Sequence, residues 1–262
     1  MKMGERNGMS LLKLQYTSFL GVNFCVSSLP DVIDAIREMS DSIVHSYVVT
    51  PNVDHIVMLD SKLDGVKKKA FRSAYRSAGI TLCDSRIIAG LARLKGIHIP
   101  VMAGSDLTAK LLTEYFGSNT KIAIVGGSQT TLNKVKDVFP KPKFVQYIPP
   151  MGILNQPSEM VRIADFVAAE TPNYVLLAIG SPQSEIVAEL CARDRRFGGV
   201  SLCIGASIEF LTGEKKRAPV WLQNLSLEWA HRLVTEPGRL WRRYLIDGPK
   251  IFAIYLRGGV GW

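Results

Sequence analysis

Residues 174–185 read YVLLAIGSPQSE and combine an apolar run, a glycine turn and the start of a helix. Tyr174–Ile179 has the length and composition of a buried strand. Ser181 is placed to cap the helix that follows, and Pro182 suits its first turn. A strand that turns directly into a helix is the repeating unit of α/β proteins, so this stretch predicts a parallel sheet.

The same alternation runs through most of the chain. Five further apolar runs predict strands at Tyr47–Thr50, Ile80–Cys83, Lys121–Val125, Lys143–Tyr147 and Val200–Ile204. Amphipathic segments predict helices near residues 31–43, 53–60, 66–78, 86–95, 106–116, 129–138, 157–170 and 183–194. Strands alternating with helices of this length predict an α/β fold, a mostly parallel sheet with helices on both faces.

The last fifth of the chain has a different pattern. The strand-like runs stop, and two helices are predicted near residues 219–235 and 237–256, divided by Glu236-Pro237-Gly238. We therefore predict an α/β body over residues 1–213 and a C-terminal helical appendage over residues 214–262.

Positive charge is concentrated in this appendage. The whole chain has a formal net charge of +9, and the appendage contains nine Lys and Arg against four Asp and Glu. Such asymmetry implies an anionic partner, which is nucleic acid, phospholipid or a phosphorylated substrate. Trp221 and Trp229 lie on basic amphipathic segments, which favour attachment to an anionic membrane surface. A packed pair of helices with a solvated basic face is the alternative.

Cysteine usage and hydropathy indicate the compartment. The four cysteines are far apart in the sequence and form no C-x-x-C pair, which is typical of buried thiols in a reducing compartment. The first residues contain no apolar run of signal-peptide length. No apolar stretch approaches the about twenty residues of a spanning helix, so we predict a protein that does not cross a membrane.

Glycine turns follow two of the predicted strands. Gly126-Gly127-Ser128 opens a helix, an arrangement that brings backbone amides against a phosphate or a ribose; a tight turn of steric origin is the alternative. A full G-x-G-x-x-G is absent, which argues against a standard dinucleotide site. The second glycine turn is Gly180-Ser181-Pro182. After it, Gln183 or Glu185 can hydrogen-bond a base or a sugar hydroxyl, and plain helix capping is the alternative.

Polar residues follow two other strands. Pro51 keeps Thr50 extended, so Thr50 and Asn52 are predicted to face the cleft and to bind sugar hydroxyls. His55 is predicted to be a satisfied histidine of the surface or core. Asp84 directly follows an apolar strand, where partial desolvation would raise its pKa and favour a general base. Capping of the next helix is the alternative role for Asp84.

Two classes of enzyme are disfavoured by missing motifs. Gly205-Ala206-Ser207 lacks the last glycine of G-x-S-x-G, so a serine hydrolase is not predicted. The chain has no H-E-x-x-H and no paired Cys sites, so no catalytic metal is predicted.

Several motifs, taken in chain order, resemble the WecG/TagA/CpsF glycosyltransferase family. They are Thr50-Pro51-Asn52, Asp84, Arg93, Gly104-Ser105-Asp106-Leu107, Gly126-Gly127, Gly180-Ser181-Pro182, Gly205, Arg217-Ala218-Pro219, Glu228-Trp229, Arg232-Leu233, Glu236-Pro237 and Arg242-Arg243-Tyr244. The match covers nearly the whole chain, and the appendage is its most specific part.

The resemblance implies an inverting transferase that needs no metal or other cofactor. Such an enzyme moves a hexose from a UDP-sugar to an undecaprenyl-diphosphate-linked sugar, at the cytoplasmic face of the membrane, to build an exopolysaccharide or cell-envelope polymer. UDP-glucose is the favoured donor, beside UDP-N-acetylmannosamine and its uronic acid. The implied fold is a Rossmann-like body whose appendage closes the site and contacts the membrane.

The resemblance also implies roles for individual residues. Asp84 is the base, Thr50 and Asn52 position a sugar, and the arginines of the appendage stabilise the leaving diphosphate. The predicted substrate-binding residues are Gly126, Gly127, Ser181, Gln183, Glu185, Arg93, Arg217, Arg232, Arg239, Arg242 and Arg243. The chain departs from the family pattern at Ser85, Val101, Gln183-Ser184-Glu185 and Ile208-Glu209, and these departures bear on sugar specificity.

Two other classes of protein account for a basic appendage. One is a nucleic-acid-binding α/β protein, and the other is a non-catalytic scaffold that docks on anionic lipid. The sequence shows neither exposed aromatic platforms nor a recognition module, so no nucleic-acid partner is predicted. A monomer and a homo-oligomer are both compatible with the sequence.

Overall fold

The computed structural model describes residues 13–215, 218–219, 222 and 228–261. It begins with an antiparallel hairpin of two strands, β1 (Tyr16–Phe19) and β2 (Val22–Cys25). The sequence analysis did not predict this hairpin, because its four-residue strands mix polar and apolar residues without a clear period.

The body then alternates strands and helices in the predicted order. The strands are β3 (Ser46–Val49), β4 (Ile80–Thr81), β5 (Lys121–Gly126), β6 (Lys143–Tyr147), β7 (Tyr174–Ala178) and β8 (Val200–Cys203). The helices are α1 (Leu29–Ser40), α2 (Val53–Val57), α3 (Gly65–Ser77), α4 (Arg86–Arg93), α5 (Gly104–Lys110), α6 (Thr131–Val138), α7 (Pro157–Glu170), α8 (Gln183–Arg193) and α9 (Ser207–Leu211). Single π-helical turns at Met58–Lys62 and Leu111–Tyr115 extend α2 and α5, and a 3₁₀ turn at Ile153–Asn155 precedes α7.

Strands β3 to β8 form one six-stranded sheet in the order β4-β3-β8-β7-β5-β6. All five strand pairs are parallel. Successive residues of a strand face opposite sides: Val175 and Leu177 belong to one hydrophobic cluster, and Tyr174 and Leu176 to the other. Helices α2, α3, α7 and α8 contribute to the first cluster, and α1, α5 and α6 to the second. The predicted fold, a Rossmann-like sheet covered on both faces, is confirmed.

The appendage contains helices α10 (Glu228–Thr235), α11 (Pro237–Trp241) and α12 (Lys250–Leu256), with a π-helical turn at Arg242–Asp247. Its end packs on the body, since Ile251 and Ile254 are buried in the same hydrophobic cluster as Phe19. The backbone N–H of Val260 donates to the carbonyl of Leu20 at 3.2 Å. The boundary between residues 213 and 214 stays a prediction.

The cysteines have the predicted character. Cys25, Cys83, Cys191 and Cys203 are buried free thiols. Burial raises the pKa of Cys83 and of Cys191 to about 12. Within the described ranges, no helix is both long enough and apolar enough to span a bilayer.

Candidate active site

A cleft of about 1140 Å³ lies at the carboxyl ends of the parallel strands. Residues that follow all six strands of the sheet line it, and they are Thr50, Asp84, Gly127, Ile148, Ser181 and Ala206. The carboxyl edge is where open α/β sheets bind ligands. The appendage lines the same cleft through Trp229, Arg232, Arg243, Tyr244 and Phe252.

Thr50 and Asn52 lie in the cleft, as predicted, but both are also used by the fold. The Thr50 hydroxyl donates to the carbonyl of Cys203 at 3.1 Å, which ties the end of β3 to the end of β8. Asn52 caps helix α2, because its Oδ1 accepts the backbone N–H of Asp54 at 3.0 Å. The Oδ1 of Asn52 is therefore committed to the fold.

Helix α2 carries a histidine that meets a carboxylate from helix α8. His55 Nε2 lies 3.3 Å from Oε1 of Glu185, and His55 Nδ1 lies 2.8 Å from Oδ1 of Asn52. Both side chains are buried, and the His55 ring stacks on Phe71 with centroids 6.3 Å apart. The Asn52 backbone N–H donates to His55 Nδ1 at 3.2 Å, so Nδ1 serves as an acceptor in the cap of α2 and Nε2 is the nitrogen that faces Glu185. His55 was predicted to be satisfied, and its partner is a residue predicted to bind substrate.

Three buried polar atoms face this region without a hydrogen-bond partner among the described residues. They are Ser181 Oγ, Gln183 Oε1 and Glu185 Oε2, and all three residues line the cleft. Leaving such atoms unpaired costs about 1–3 kcal/mol each, so a ligand hydroxyl or N–H is the natural partner. The three atoms favour a ligand that donates hydrogen bonds, as a sugar does.

The prediction that Ser181 caps the following helix is wrong. Helix α8 begins at Gln183, Pro182 occupies the cap position, and no side chain caps the helix. The turn is closed instead by the Ser184 N–H, which donates to the carbonyl of Gly180 at 2.9 Å. The Ser181 hydroxyl is buried and takes no part in capping.

The two roles considered for Asp84 can now be separated. Ser85 caps helix α4, since its Oγ accepts the Ile88 N–H at 3.3 Å. Asp84 is half-buried in the cleft, and its backbone N–H donates to the carbonyl of Pro51 at 3.0 Å. This bond fixes Asp84 beside the turn that carries Thr50 and Asn52. The cap of α4 is thus Ser85, Asp84 lines the cleft, and its role as a base stays a prediction.

The glycine turn after β5 passes close to the end of the neighbouring strand β7. Gly126 has φ +104°, and a Cβ added there would lie 2.7 Å from the carbonyl oxygen of Ala178. Gly127 has φ +77° and packs against Thr131, whose Oγ1 accepts the Ser128 N–H at 2.8 Å. Both glycines line the cleft, but the Ser128 amide is already engaged. Both positions therefore require glycine for steric reasons.

Two arginines of the appendage reach the cleft. Arg243 Nε lies 3.2 Å from Oδ2 of Asp54, which joins the appendage to helix α2. Arg232 Nε lies 3.8 Å from Oε1 of Glu228, and its guanidinium lies over the Phe210 ring at 4.8 Å from the centroid. Each is thus paired with a carboxylate.

The other predicted arginines are not brought to this cleft by the described part of the chain. Arg93 is exposed in the last turn of α4 and does not line the cleft, so the prediction that it binds substrate there is not supported. Arg242 is also exposed and outside the lining, because the helical turn directs its neighbour Arg243 inward instead. Arg239 belongs to α11, but its side chain lies outside the described residues, and so does Arg217.

The described lining contains more acidic than basic side chains. The acids are Asp54, Asp84, Asp106, Glu185, Glu209 and Glu228, and the cations are Arg86, Lys215, Arg232 and Arg243. Among the described residues, no group of three or more His, Cys, Asp or Glu is arranged to hold a metal ion.

Sequence reasoning missed two parts of the site. One is the loop Ile148–Ile153, which lines the cleft and follows strand β6, so the rule that singled out the other strand ends also applies to it. The other is Gln146, whose Nε2 donates to the carbonyls of Gly126 and Ser128 at 2.8 and 3.1 Å. Gln146 lies inside a strand, and no local signal marks it.

Comparison with known proteins agrees with this geometry. The profile of the glycosyl transferase WecG/TagA/CpsF family matches residues 17–261. A relative from Bacillus spizizenii, N-acetylglucosaminyldiphosphoundecaprenol N-acetyl-beta-D-mannosaminyltransferase, is 28% identical over 187 residues, which is 70% of each chain. The match spans both the body and the appendage, and the chain belongs to the WecG/TagA/CpsF family of glycosyl transferases.

Proposed function

We propose that the protein is an inverting glycosyltransferase that moves a hexose from a UDP-sugar to an undecaprenyl-diphosphate-linked sugar. The product is a precursor of an exopolysaccharide or of a cell-envelope polymer. The relative from Bacillus spizizenii is named for an acceptor of this chemistry and for the transfer of N-acetylmannosamine. One observation carries the proposal: a single cleft joins hydrogen-bond acceptors for a sugar, a strand-end carboxylate and arginines of the appendage.

In the proposed reaction, Asp84 accepts the proton of the acceptor hydroxyl while its oxygen attacks the anomeric carbon. Attack occurs on the face opposite UDP, so the configuration inverts. The bond between the anomeric carbon and the diphosphate oxygen breaks, and its electron pair leaves with UDP. A positioned base of this kind typically contributes 10²–10⁴-fold to the rate.

The leaving diphosphate needs cations as its charge develops. Arg243 and Arg232 line the cleft, and a guanidinium can contact phosphate oxygens bidentately. In the structure, Asp54 lies 3.2 Å from Arg243, so diphosphate replaces this carboxylate as the partner. Arginine cations take the part that a metal has in other transferases, and we expect turnover to be unchanged in EDTA.

The donor sugar is assigned to the side of the cleft formed by residues 181–185. Ser181 Oγ, Gln183 Oε1 and Glu185 Oε2 can each accept from a sugar hydroxyl. UDP-glucose, UDP-N-acetylmannosamine and its uronic acid stay the candidate donors. The name of the relative makes UDP-N-acetylmannosamine the first one to test beside UDP-glucose.

We also propose that the protein works while attached to the cytoplasmic face of the membrane. Trp241, Leu245, Phe252 and Leu256 are large apolar side chains of the appendage that lie exposed. They share the appendage with exposed cations such as Arg257, a combination suited to an anionic lipid surface. Sedimentation with phosphatidylglycerol vesicles, but not with phosphatidylcholine vesicles, is the expected result.

The decisive experiment measures UDP release from a panel of UDP-sugars, with and without a lipid-diphosphate monosaccharide. Acceptor-dependent release with one donor is expected, reduced at least 100-fold by Asp84→Asn. The matched control is Asp137→Asn, an exposed aspartate of α6 outside the cleft. Absence of release with every donor contradicts the proposal, as does equal loss in both variants.

Family membership favours this enzyme over the two other classes considered. A nucleic-acid-binding protein would show salt-sensitive binding to RNA or DNA and no affinity for UDP. A non-catalytic scaffold would keep its role after Asp84→Asn. The same UDP-release assay separates these outcomes.

A further inference from the structure

The active-site cleft has a polar floor and an apolar rim. The floor carries the side chains that follow the strands, such as Asn52, Asp84 and Gln183. Six large apolar side chains also line the cleft, although each is at least 36% exposed. They are Ile87, Val101, Ile148, Met151, Leu245 and Phe252, and we call them the apolar rim.

The rim is assembled from parts of the chain that are distant in sequence. Ile87 belongs to α4, Val101 precedes α5, Ile148 and Met151 follow β6, and Leu245 lies in the appendage. Scattered apolar residues on a surface need no explanation, but an apolar group gathered around one cleft marks a binding surface.

The backbone of the loop after β6 holds an apolar side chain exposed to solvent. Met151 is 94% exposed, and it lies between Pro150 and Gly152, which has φ +78°. Proline fixes φ near −65°, and the left-handed position favours glycine, so the turn has few alternatives. Ile153 anchors the loop, because it is buried in the core. The exposure of Met151 is thus held by a constrained turn.

We propose that the apolar rim binds the isoprenoid chain of the acceptor next to its diphosphate, and that it selects acceptors by chain length. The inference rests on the proposed function, in which the acceptor has a polar sugar diphosphate joined to a hydrocarbon. The floor and rim match these two parts in order. Arg243 and Leu245 belong to the same helical turn and both line the cleft, so this turn contributes a cation and an apolar side chain to it.

The expected size of the effect follows from burial of methylene groups. Each buried CH₂ improves affinity about fourfold. A rim that covers one side of a five-carbon isoprene unit therefore improves affinity by roughly tenfold or more. A farnesyl group supplies two more isoprene units than an isopentenyl group, so a rim that extends past the first unit favours farnesyl diphosphate at least tenfold.

The test is calorimetric titration with farnesyl diphosphate and with isopentenyl diphosphate, in buffer without membranes or detergent. The wild-type protein is expected to bind farnesyl diphosphate at least tenfold more tightly. The variant Ile148→Ser/Met151→Ser is expected to lose most of this preference while it binds isopentenyl diphosphate within twofold of wild type. Both replaced side chains are exposed, so the core is unaffected.

The matched control is Ile43→Ser/Val44→Ser. These two neighbours form an equally exposed apolar pair that does not line the cleft, so the farnesyl preference should be retained. Equal affinity of the wild-type protein for the two diphosphates overturns the proposal. An unchanged preference in the Ile148→Ser/Met151→Ser variant does so as well.

A vesicle experiment separates the acceptor chain from the bilayer as the occupant. If the Ile148→Ser/Met151→Ser variant keeps its farnesyl preference in solution but no longer sediments with vesicles, the rim binds membrane lipid and the proposal is wrong. Because calorimetry needs no turnover, the result stands even if no UDP-sugar proves to be a donor. Failure of the proposed function and failure of this inference are therefore distinguishable.

Discussion

The buried contact between His55 and Glu185 should contribute strongly to stability. His55 Nε2 lies 3.3 Å from Glu185 Oε1, and both side chains are buried. A hydrogen bond to a charged group contributes about 1.5–3 kcal/mol. Removing the histidine leaves the buried Glu185 carboxylate without its partner, which costs about 3–5 kcal/mol.

A double-mutant cycle measures this contact. His55→Phe keeps a ring against Phe71 but removes both nitrogens, and it is expected to lower the free energy of unfolding by about 3 kcal/mol. Glu185→Gln removes the charge but keeps the shape, and about 1 kcal/mol is expected. The double variant should be more stable than the sum predicts, with a coupling energy of about 2 kcal/mol. Urea unfolding followed by circular dichroism gives all four values.

A second histidine provides the matched control. His45 is equally buried, packs against the Phe197 ring and lies 2.8 Å from Ser201 Oγ through its Nε2, but it meets no carboxylate at that nitrogen. His45→Phe combined with Glu185→Gln should therefore be additive within about 0.5 kcal/mol. A coupling below about 0.5 kcal/mol for His55, or one equal to that of His45, would refute the reasoning.

Three further outcomes are expected. Gly126→Ala should destabilise the protein by more than about 1 kcal/mol in urea unfolding, because φ is positive and the new Cβ would meet the Ala178 carbonyl at 2.7 Å; an unchanged midpoint would contradict this. Cys83 and Cys191, whose pKa values burial raises to about 12, should not react with a disulfide reagent at pH 8 until urea is added, since the thiolate is the nucleophile. Arg243→Lys should lower kcat at least tenfold with little change in stability, because an ammonium cannot make a bidentate contact to diphosphate; Arg242→Lys, outside the cleft, is the control.

The fold could be predicted because its signals are local. Apolar runs such as Tyr174–Ala178 mark the strands, and the residues that follow them do meet in the cleft. Local signals do not decide which of two neighbouring residues has a given role. Asp84 and Ser85 are both good caps, and only the structure shows that Ser85 has this role.

Contacts between distant elements could not be predicted in the same way. His55 and Glu185 are 130 positions apart, and they meet because α2 and α8 follow strands β3 and β7, which flank β8 in the sheet. Periodicity indicates that strands exist but does not give their order. The partner of Arg243 depends equally on where the appendage lies, because Asp54 is 189 positions away in the sequence.

The attachment of the appendage at its far end limits how the cleft can open. Arg257 lies 2.9 Å from Asp60, and Ile254 is buried against the body, so the end of the appendage is tethered to the body. The body also leads directly into its start. Because both of its ends are attached, the appendage can move away from the cleft only by bending between them. Deleting the appendage would therefore strip Ile254 from the core as well as arginines from the cleft.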